Sequence, residues 1–484
     1  MSGKVKAAPI RARLALTGLA VLVAFLLPAC AVIRDAKLAQ KEKKAPPGER
    51  TVTAAEAGIV PGSALTLDQS VDIALKFNPQ MVQAVQAYKV AESQACSALA
   101  PYFPQIKASA SERTATSNVR VHDKTVNQVV PFPPPLVGST IVSVPLPGES
   151  NDHSNSYSAG ISVDLLLFDF GRTHWAVRQA NMNKIAAKER VRETENELAY
   201  QTKLAYYRLL KAQSLLTVAT EAEAQSNLHL EQVSVFVEVG RGIAADTARA
   251  QVDHAQAQLD LVNAKSELDS ARAVLNQAMG LASNPDYTLV DPAREEISGT
   301  LDELMDQARK NDPEFQALAA EEKAASYAVD YSISDLFPRF TASGAYQWSG
   351  TEFPLVWNWN IGPALVAEIF TGFTRVNQIK AATAQLRATR SRKAAREQEL
   401  YSQLQTDLAV LQGAREQLLL ADAEAHAAQQ NFELIGERQR VGRATALEFA
   451  DARVSLTRAH SDQALALFQY QSAVAGIRRA AGGR

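Results

Sequence analysis

The sequence predicts a mainly α fold with a smaller β part: long antiparallel coiled-coil hairpins plus four strands per chain. Three observations predict it. Arg172 to Val239 contains neither Gly nor Pro, and Phe373 to Val441 is interrupted only by Gly413 and Gly436. Four short segments alternate apolar and polar residues, the period of a strand. The whole series of features runs through the chain twice, which marks an internal repeat.

Composition sets the limits. With 46% hydrophobic and 21% charged residues the chain has the make-up of a folded protein. Its 50 basic and 52 acidic residues nearly balance, so no nucleic acid partner is expected. Two cysteines make neither a disulfide framework nor a Cys-rich zinc site. Past the first thirty residues no run reaches the ~18 apolar residues of a membrane-spanning helix.

The chain begins with a basic stretch (Lys4, Lys6, Arg11, Arg13) before an apolar run from Leu14 to Ala29. That is the pattern of an export signal. Leu27-Pro28-Ala29-Cys30 is similar to a bacterial lipobox, with Cys30 as the acylated residue. A soluble export signal with an incidental cysteine is the alternative. Cleavage before Cys30 leaves 46 basic against 52 acidic residues. Ala36 to Arg50 reads as a polar tether.

The repeat sets the next elements. Leu67-Asp68-Gln69-Ser70 through Asn78-Pro79 recurs as Leu301-Asp302-Glu303-Leu304 through Asp312-Pro313. Asn78 and Asp312 suit helix caps, each with Pro at the first helical position. Tyr102-Phe103-Pro104 recurs as Leu336-Phe337-Pro338, at the same offset of 234. Leu167-Phe168, Val239-Gly240-Arg241 and Met279-Gly280 recur 202 residues on. The length difference falls between residues 104 and 167, around a Pro-rich stretch from Val129 to Gly148 that is expected to be a surface loop. The expected division is a signal peptide at 1–29, a lipidated tether at 30–63, a first repeat at 64–290 and a second at 291–484.

The Gly- and Pro-free segments correspond to helices of roughly 100 Å at 1.5 Å per residue. Ala250, Ala257, Ala264, Ala271 and Ala278 repeat every seven residues, with Leu261, Leu268 and Leu275 as a second column. Ala452, Ala459, Ala466, Ala473 and Ala480 repeat the first column. This is a coiled-coil seam whose small knobs let helix axes approach closely. The Val-Gly-Arg turns then join each long helix to a shorter antiparallel one.

The four strands are expected around Ile106–Ser111, Ser158–Leu165, Arg339–Trp348 and Trp357–Leu365. Each has one apolar and one polar face. In a membrane barrel the apolar face meets lipid and the polar face the lumen. Trp175, Trp348, Trp357 and Trp359 all sit in or beside these segments, as a belt at a bilayer boundary requires. A soluble sheet with one buried face is the alternative. Four strands do not close a barrel, and open edges are not tolerated in lipid. Strands from several copies must therefore pair.

Taken in order, the signal, lipobox, helix, Phe-Pro, strand pair, Leu-Phe-Asp-x-Gly, long helix, Val-Gly turn and helix resemble the TolC family of outer-membrane efflux proteins. The resemblance covers about Leu65 to Gly482. Cys30 resembles the lipoprotein branch that serves resistance-nodulation-division pumps. The resemblance implies a homotrimer with a 12-stranded β-barrel in the cell outer membrane and a periplasmic α-barrel. It implies passive export, with a periplasmic adaptor and an inner-membrane pump as partners, and outer-membrane lipid around the barrel. It places Val239, Gly240, Arg241, Val441, Gly442 and Arg443 at the adaptor-contacting tip. It places Glu448 and Asp451, with Asp246 from the first repeat, at an aperture gate. Thr445 and Glu448 also form a capping-box pattern, so a helix-start role is the alternative. Arg241 and Arg443 are either helix latches or solvated surface residues. One departure stands out: Ile369-Phe370-Thr371-Gly372-Phe373 replaces the usual Leu-Phe-Asp-Gly-Gly.

No cofactor or metal is expected, because the seven histidines show no ligand spacing. Cys96 is expected buried in a helix. No motif of a zinc protease, phosphate loop or serine hydrolase occurs, so the chain is not expected to be an enzyme. Two alternative functions remain: the conduit of a type I protein secretion system, and a coiled-coil lipoprotein tether without a pore. The sequence does not name the cargo.

Overall fold

The computed structural model describes residues 52–131, 139–240, 243–297, 299–441 and 443–483. Cys30, Arg241 and Gly442 lie outside the described residues. The first half runs β1 (Ser63–Leu65), α1 (Leu67–Phe77), α2 (Pro79–Ser97), β2 (Gln105–Pro131), β3 (Ser139–Phe168), α3 (Arg172–Glu238), α4 (Ala244–Ala278). After β4 (Tyr287–Leu289), the second half runs α5 (Leu301–Asn311), α6 (Pro313–Ser334), β5 (Arg339–Gly350), β6 (Val356–Val366), α7 (Thr374–Arg440), α8 (Ala446–Ala480). The halves match in length as well as order: α3 and α7 are both 67 residues, α4 and α8 both 35.

The helix starts follow the cap chemistry. Thr66 and Thr300 each close a full capping box, with Gln69 and Glu303. Asp312 accepts from Phe315 N at 3.0 Å and Asn78 Oδ1 from Gln80 N at 2.9 Å, each just before its proline. Asp169 starts α3, its Oδ2 accepting from the Thr173 N–H at 2.7 Å. α4 and α8 end on glycines at φ +75° (Gly280) and +78° (Gly482). Any side chain there would also strike the cap of the partner joint. A Cβ would stand 2.9 Å from Asn78 Cα at Gly280, and 2.7 Å from Asp312 N at Gly482. The repeat is thus kept down to backbone contact.

The chain divides into two compact units. One comprises residues up to 83, 197–297 and 411–475. Its core gathers Leu65, Tyr206, Leu209, Leu275, Met279 and Tyr287, all buried. β1 and β4 pair in parallel there, Leu65 opposite Leu289. The Tyr206 hydroxyl clamps this pair: it reaches Leu65 O at 2.8 Å and accepts the Val290 N–H at 3.1 Å. The alanine column packs as its heptad spacing predicts. Ala250, Ala257 and Ala271 are buried on α4, and Ala452, Ala459, Ala466 and Ala473 on α8.

The other unit comprises residues 84–196, 298–410 and 476–484. It holds one antiparallel sheet in the order β2-β3-β5-β6. Ion pairs set its helix joints. Asp335, at the end of α6, takes Arg172 at 2.5 Å and Arg375 at 3.4 Å, so one carboxylate ties the first turns of α3 and α7. Arg396 of α7 bonds Asp312 and Glu314 of the α6 start.

Two expectations are corrected. The Pro-rich stretch is mostly strand, because β2 runs to Pro131 and β3 begins at Ser139, with Val126 opposite Val144 and Val129 opposite Ile141. Its β-branched residues favour strand, and β3 pairs with β5 only from Tyr157 onwards, so Pro145 and Pro147 stand where β3 has one neighbour, a place that tolerates proline. Only residues 132–138, outside the described residues, separate the two strands. Cys96 is helical as expected, but exposed.

Candidate functional site

The sheet joins the four apolar faces into one. Ile106 lies opposite Val163, Val163 opposite Gly344, and Gly344 opposite Ile361. Ala159 lies opposite Trp348, and Trp348 opposite Trp357. Residues directly opposite share a face, so the apolar face is continuous across all four strands. Its side chains stand in the open: Ile361 is 77% exposed and Trp359 64%. The other face is polar. Lys107 pairs with Asp164 at 3.2 Å, and the hydroxyls of Ser111 and Ser158 meet at 2.8 Å. A water-soluble sheet would bury the first face, whereas a membrane barrel turns it to lipid.

Trp348, Trp357 and Trp359 cluster towards the β5–β6 turn, where the Tyr346 ring stacks on Trp357 at 5.9 Å. Trp175 lies elsewhere, on the first turn of α3, half-buried and stacked on Tyr327 of α6 at 5.7 Å. A second aromatic group stands at the strand–helix joints: Phe103, Phe168, Phe170, Phe337, Phe370 and Phe373, all exposed. Phe168 meets Phe170 at 4.8 Å, and Phe170 stacks on Phe337 at 5.2 Å. The belt expected from the sequence named tryptophans and left this group out. Its signal was present in the Phe-Pro and Leu-Phe pairs that defined the repeat. From Arg339, where β5 begins two residues after Phe337, to Trp348 is nine residues, about 31 Å of strand at 3.4 Å per residue. A 40° tilt reduces that to about 23 Å, close to the ~25 Å apolar band of an outer-membrane barrel.

The turn ends of the helical hairpins form the other site. Gly240 closes the α3–α4 turn at φ +72°, its N–H donating to Val237 O at 3.0 Å. Val239, Ile243 and Val441 are exposed apolar residues at these turns. Arg443 is exposed and held by its own turn: its N–H donates to Arg438 O at 2.8 Å, while Arg438 Nη2 donates to Arg443 O at 3.2 Å. Asp246, Glu448 and Asp451 are all exposed. Glu448 closes the predicted capping box: it accepts the Thr445 N–H at 2.7 Å, and its own N–H donates to Thr445 Oγ1 at 3.2 Å. The Thr445 N–H, and the Thr445 hydroxyl that also donates to this carboxylate at 3.1 Å, hold it below the ordinary value, with a smaller contribution from Arg438.

The outer membrane efflux protein family matches residues 71–281 and 304–483. The chain belongs to this family. Like its members, it is an outer-membrane exit duct for efflux, with a large periplasmic part. Members form trimers and work with an adaptor and an inner-membrane pump. The efflux protein BepC of Brucella suis is 23% identical over 350 residues, 71% of this chain and 76% of that protein. The fold is shared with solved outer-membrane channels. CmeC of Campylobacter jejuni matches with a TM-score of 0.71 at 17% identity, covering 86% of this chain and 85% of that one. The open state of MtrE of Neisseria gonorrhoeae matches with a TM-score of 0.69 at 18% identity, covering 86% and 89%. The fold class read from the sequence is thus met: mainly α, with long hairpins and four strands that contribute to a TolC-like trimeric channel.

Proposed function

We propose that this efflux protein is the passive outer duct of a pump of the resistance-nodulation-division type, anchored through acylated Cys30 and free of any catalytic step. The observation that carries the duct reading is the apolar face running unbroken over β2, β3, β5 and β6 and left open to the surroundings. One chain supplies four strands, so three supply the twelve of a closed barrel, and closure removes the edges that lipid forbids. Residues 1–29 act as the signal, 30–63 as the tether, and 64–290 and 291–484 as the two repeats. The belt residues Trp348, Trp357 and Trp359 mark one bilayer boundary, with Trp175 beside the other.

The turn residues Val239, Gly240, Arg241, Val441, Gly442 and Arg443 meet the adaptor. Exposed Val239 and Val441 support this, because they offer apolar anchors at a polar end. Asp246, Glu448 and Asp451 ring the closed aperture and favour cations there. Cysteines placed at Val239 and Val441 test the tip reading. They are expected to crosslink the adaptor in intact cells. Crosslinks confined to cysteines at the α1 and α5 helices would overturn it.

A further inference from the structure

Behind the gate acids, the structure holds a buried pair of bases. Glu448 points outward from the first turn of α8, and the next residue, Phe449, turns inward. The ring of Phe449 packs against His229 of α3 at 5.7 Å and against Phe432 of α7 at 5.3 Å. His229 is 6% exposed, and its Nδ1 has no hydrogen-bond partner. One turn further along α8, the Arg453 side chain is 7% exposed. Its Nη2 meets Asp253 of α4 at 3.4 Å, and its Nη1 has no partner. A histidine and an arginine are thus buried around a single carboxylate.

The charged groups acting on His229 are Arg453 from α8 and Asp253 from α4. From α7 the Phe432 ring packs against Phe449. On α3 itself, Ser226 is committed to His254 of α4 at 3.1 Å. Among the described residues His229 Nδ1 has no hydrogen-bond partner, and Asp253 Oδ2 is engaged by Arg453. An imidazolium there would be opposed by the Arg453 charge and, on a side chain only 6% exposed, poorly solvated.

We propose that His229 is an acid-sensitive latch of the periplasmic turn end: neutral, it seats Phe449 and holds α8 against α3, and protonated, it releases them. The proposal rests on reading this end as the closing end of the duct. It goes beyond that reading by making closure respond to the pH of the periplasm. The sign follows from linkage. Burial first, then Arg453, holds the imidazole below its ordinary value of 6.5, against an opposing pull from Asp253. A released tip, with His229 in water, takes up a proton that the closed tip refuses. Closure is therefore fully favoured above the ordinary value and weakens as pH falls below it. That window lies above the range in which exposed carboxylates titrate, so the gate acids do not mimic it.

The test uses the full-length trimer in nanodiscs, with amide exchange followed by mass spectrometry at pH 7.5 and 5.5 and corrected for intrinsic exchange rates. In the wild type, exchange in 222–236 and 445–456 is expected to accelerate at least threefold at pH 5.5. His229→Phe keeps an aromatic ring against Phe449 and carries no proton, so its exchange should be the same at both pH values. His229→Gln gives the same prediction where the Phe variant does not assemble. His254→Gln should keep the wild-type response. A wild type without acid acceleration, or a response that survives in both His229 variants or vanishes in His254→Gln, overturns the proposal. Single-channel conductance separates the latch from the gate. Acid-dependent exchange with a pH-independent conductance would keep the titration but move the constriction elsewhere, and so overturn the tip as the closing end.

Discussion

Replacing Asp253 with alanine gives the sharpest test of what holds the turn end together. The buried Arg453 has one ion pair, at 3.4 Å, and that partner is 32% exposed. Removing one member of a buried pair typically costs about 3–5 kcal/mol, because the other charge stays buried and unpaired. Water already reaches Asp253, so about 2 kcal/mol is the better figure here. That corresponds to about 30-fold in the local opening equilibrium, at 1.4 kcal/mol per tenfold. Arg453→Met removes the charge itself and fills a similar volume, and such replacements are often neutral or stabilising. The double variant should therefore behave like Arg453→Met and regain most of what Asp253→Ala loses. The assay is amide exchange of residues 445–456 in the assembled trimer at neutral pH, read for both singles and the double. If Asp253→Ala exchanges at the wild-type rate, or if the double is as loose as Asp253→Ala, the pair does not hold the tip and the reasoning fails.

Phe373→Gly should raise the melting temperature of the trimer on heat-modified gels, because Phe373 sits at φ +65°, a left-handed conformation that costs a side chain about 1–2 kcal/mol. Gly171, its counterpart at φ +84°, should show the reverse on Gly171→Ala. Thr445→Ala should speed exchange in the first turn of α8 several-fold at pH 7. That difference should be present above the ordinary Glu448 value of 4.5 and close as pH falls through its lowered value, since a protonated Glu448 accepts poorly. Cys30→Ser should abolish incorporation of radiolabelled palmitate and leave trimers intact; undiminished label in the variant would exclude Cys30 as the lipid site. Glu448→Ala with Asp451→Ala should lower cation selectivity in planar bilayers, most at low salt, where screening is weakest.

Much of this architecture was legible in the sequence because its signals are local and repeated. The helix bounds follow from the absence of Gly and Pro, and the observed α3 and α7 start and stop within one residue of those limits. The strand faces follow from period two, and the register confirms them pair by pair. What was missed depends on the third dimension. Cys96 lies in a helix with little segregation of polar and apolar residues, so nothing in its neighbours showed which side meets water. Arg453 directly follows Ala452 of the buried column, and a residue beside a seam flanks it. Its burial follows from α4 supplying Asp253, which no periodicity of α8 announces. His229 lies on a long helix with no marked apolar face, and its buried place includes a contact with Phe449 of α8, far away in sequence.

The two turns occupy equivalent places in the repeat, yet their chemistry differs, and the difference bears on the proposed gate. Helix α4 starts after Ile243, whose side chain makes no cap bond, so Asp246 in its first turn has no capping-box partner there. Helix α8 starts with Thr445, and Glu448 spends its carboxylate on that cap. Both acids suit a helix N-terminus, whose partial positive charge favours them. Among the described residues the Asp246 carboxylate has no hydrogen-bond partner, whereas part of the Glu448 charge is taken up by the two Thr445 hydrogen bonds to its Oε2, with Oε1 left open. Asp451, one turn further on, is exposed. If carboxylates at this end attract cations, Asp246 and Asp451 should therefore contribute more than Glu448. Glu448 then acts chiefly on the helix it caps: it fixes where α8 begins, and with it the direction in which Phe449 points towards His229.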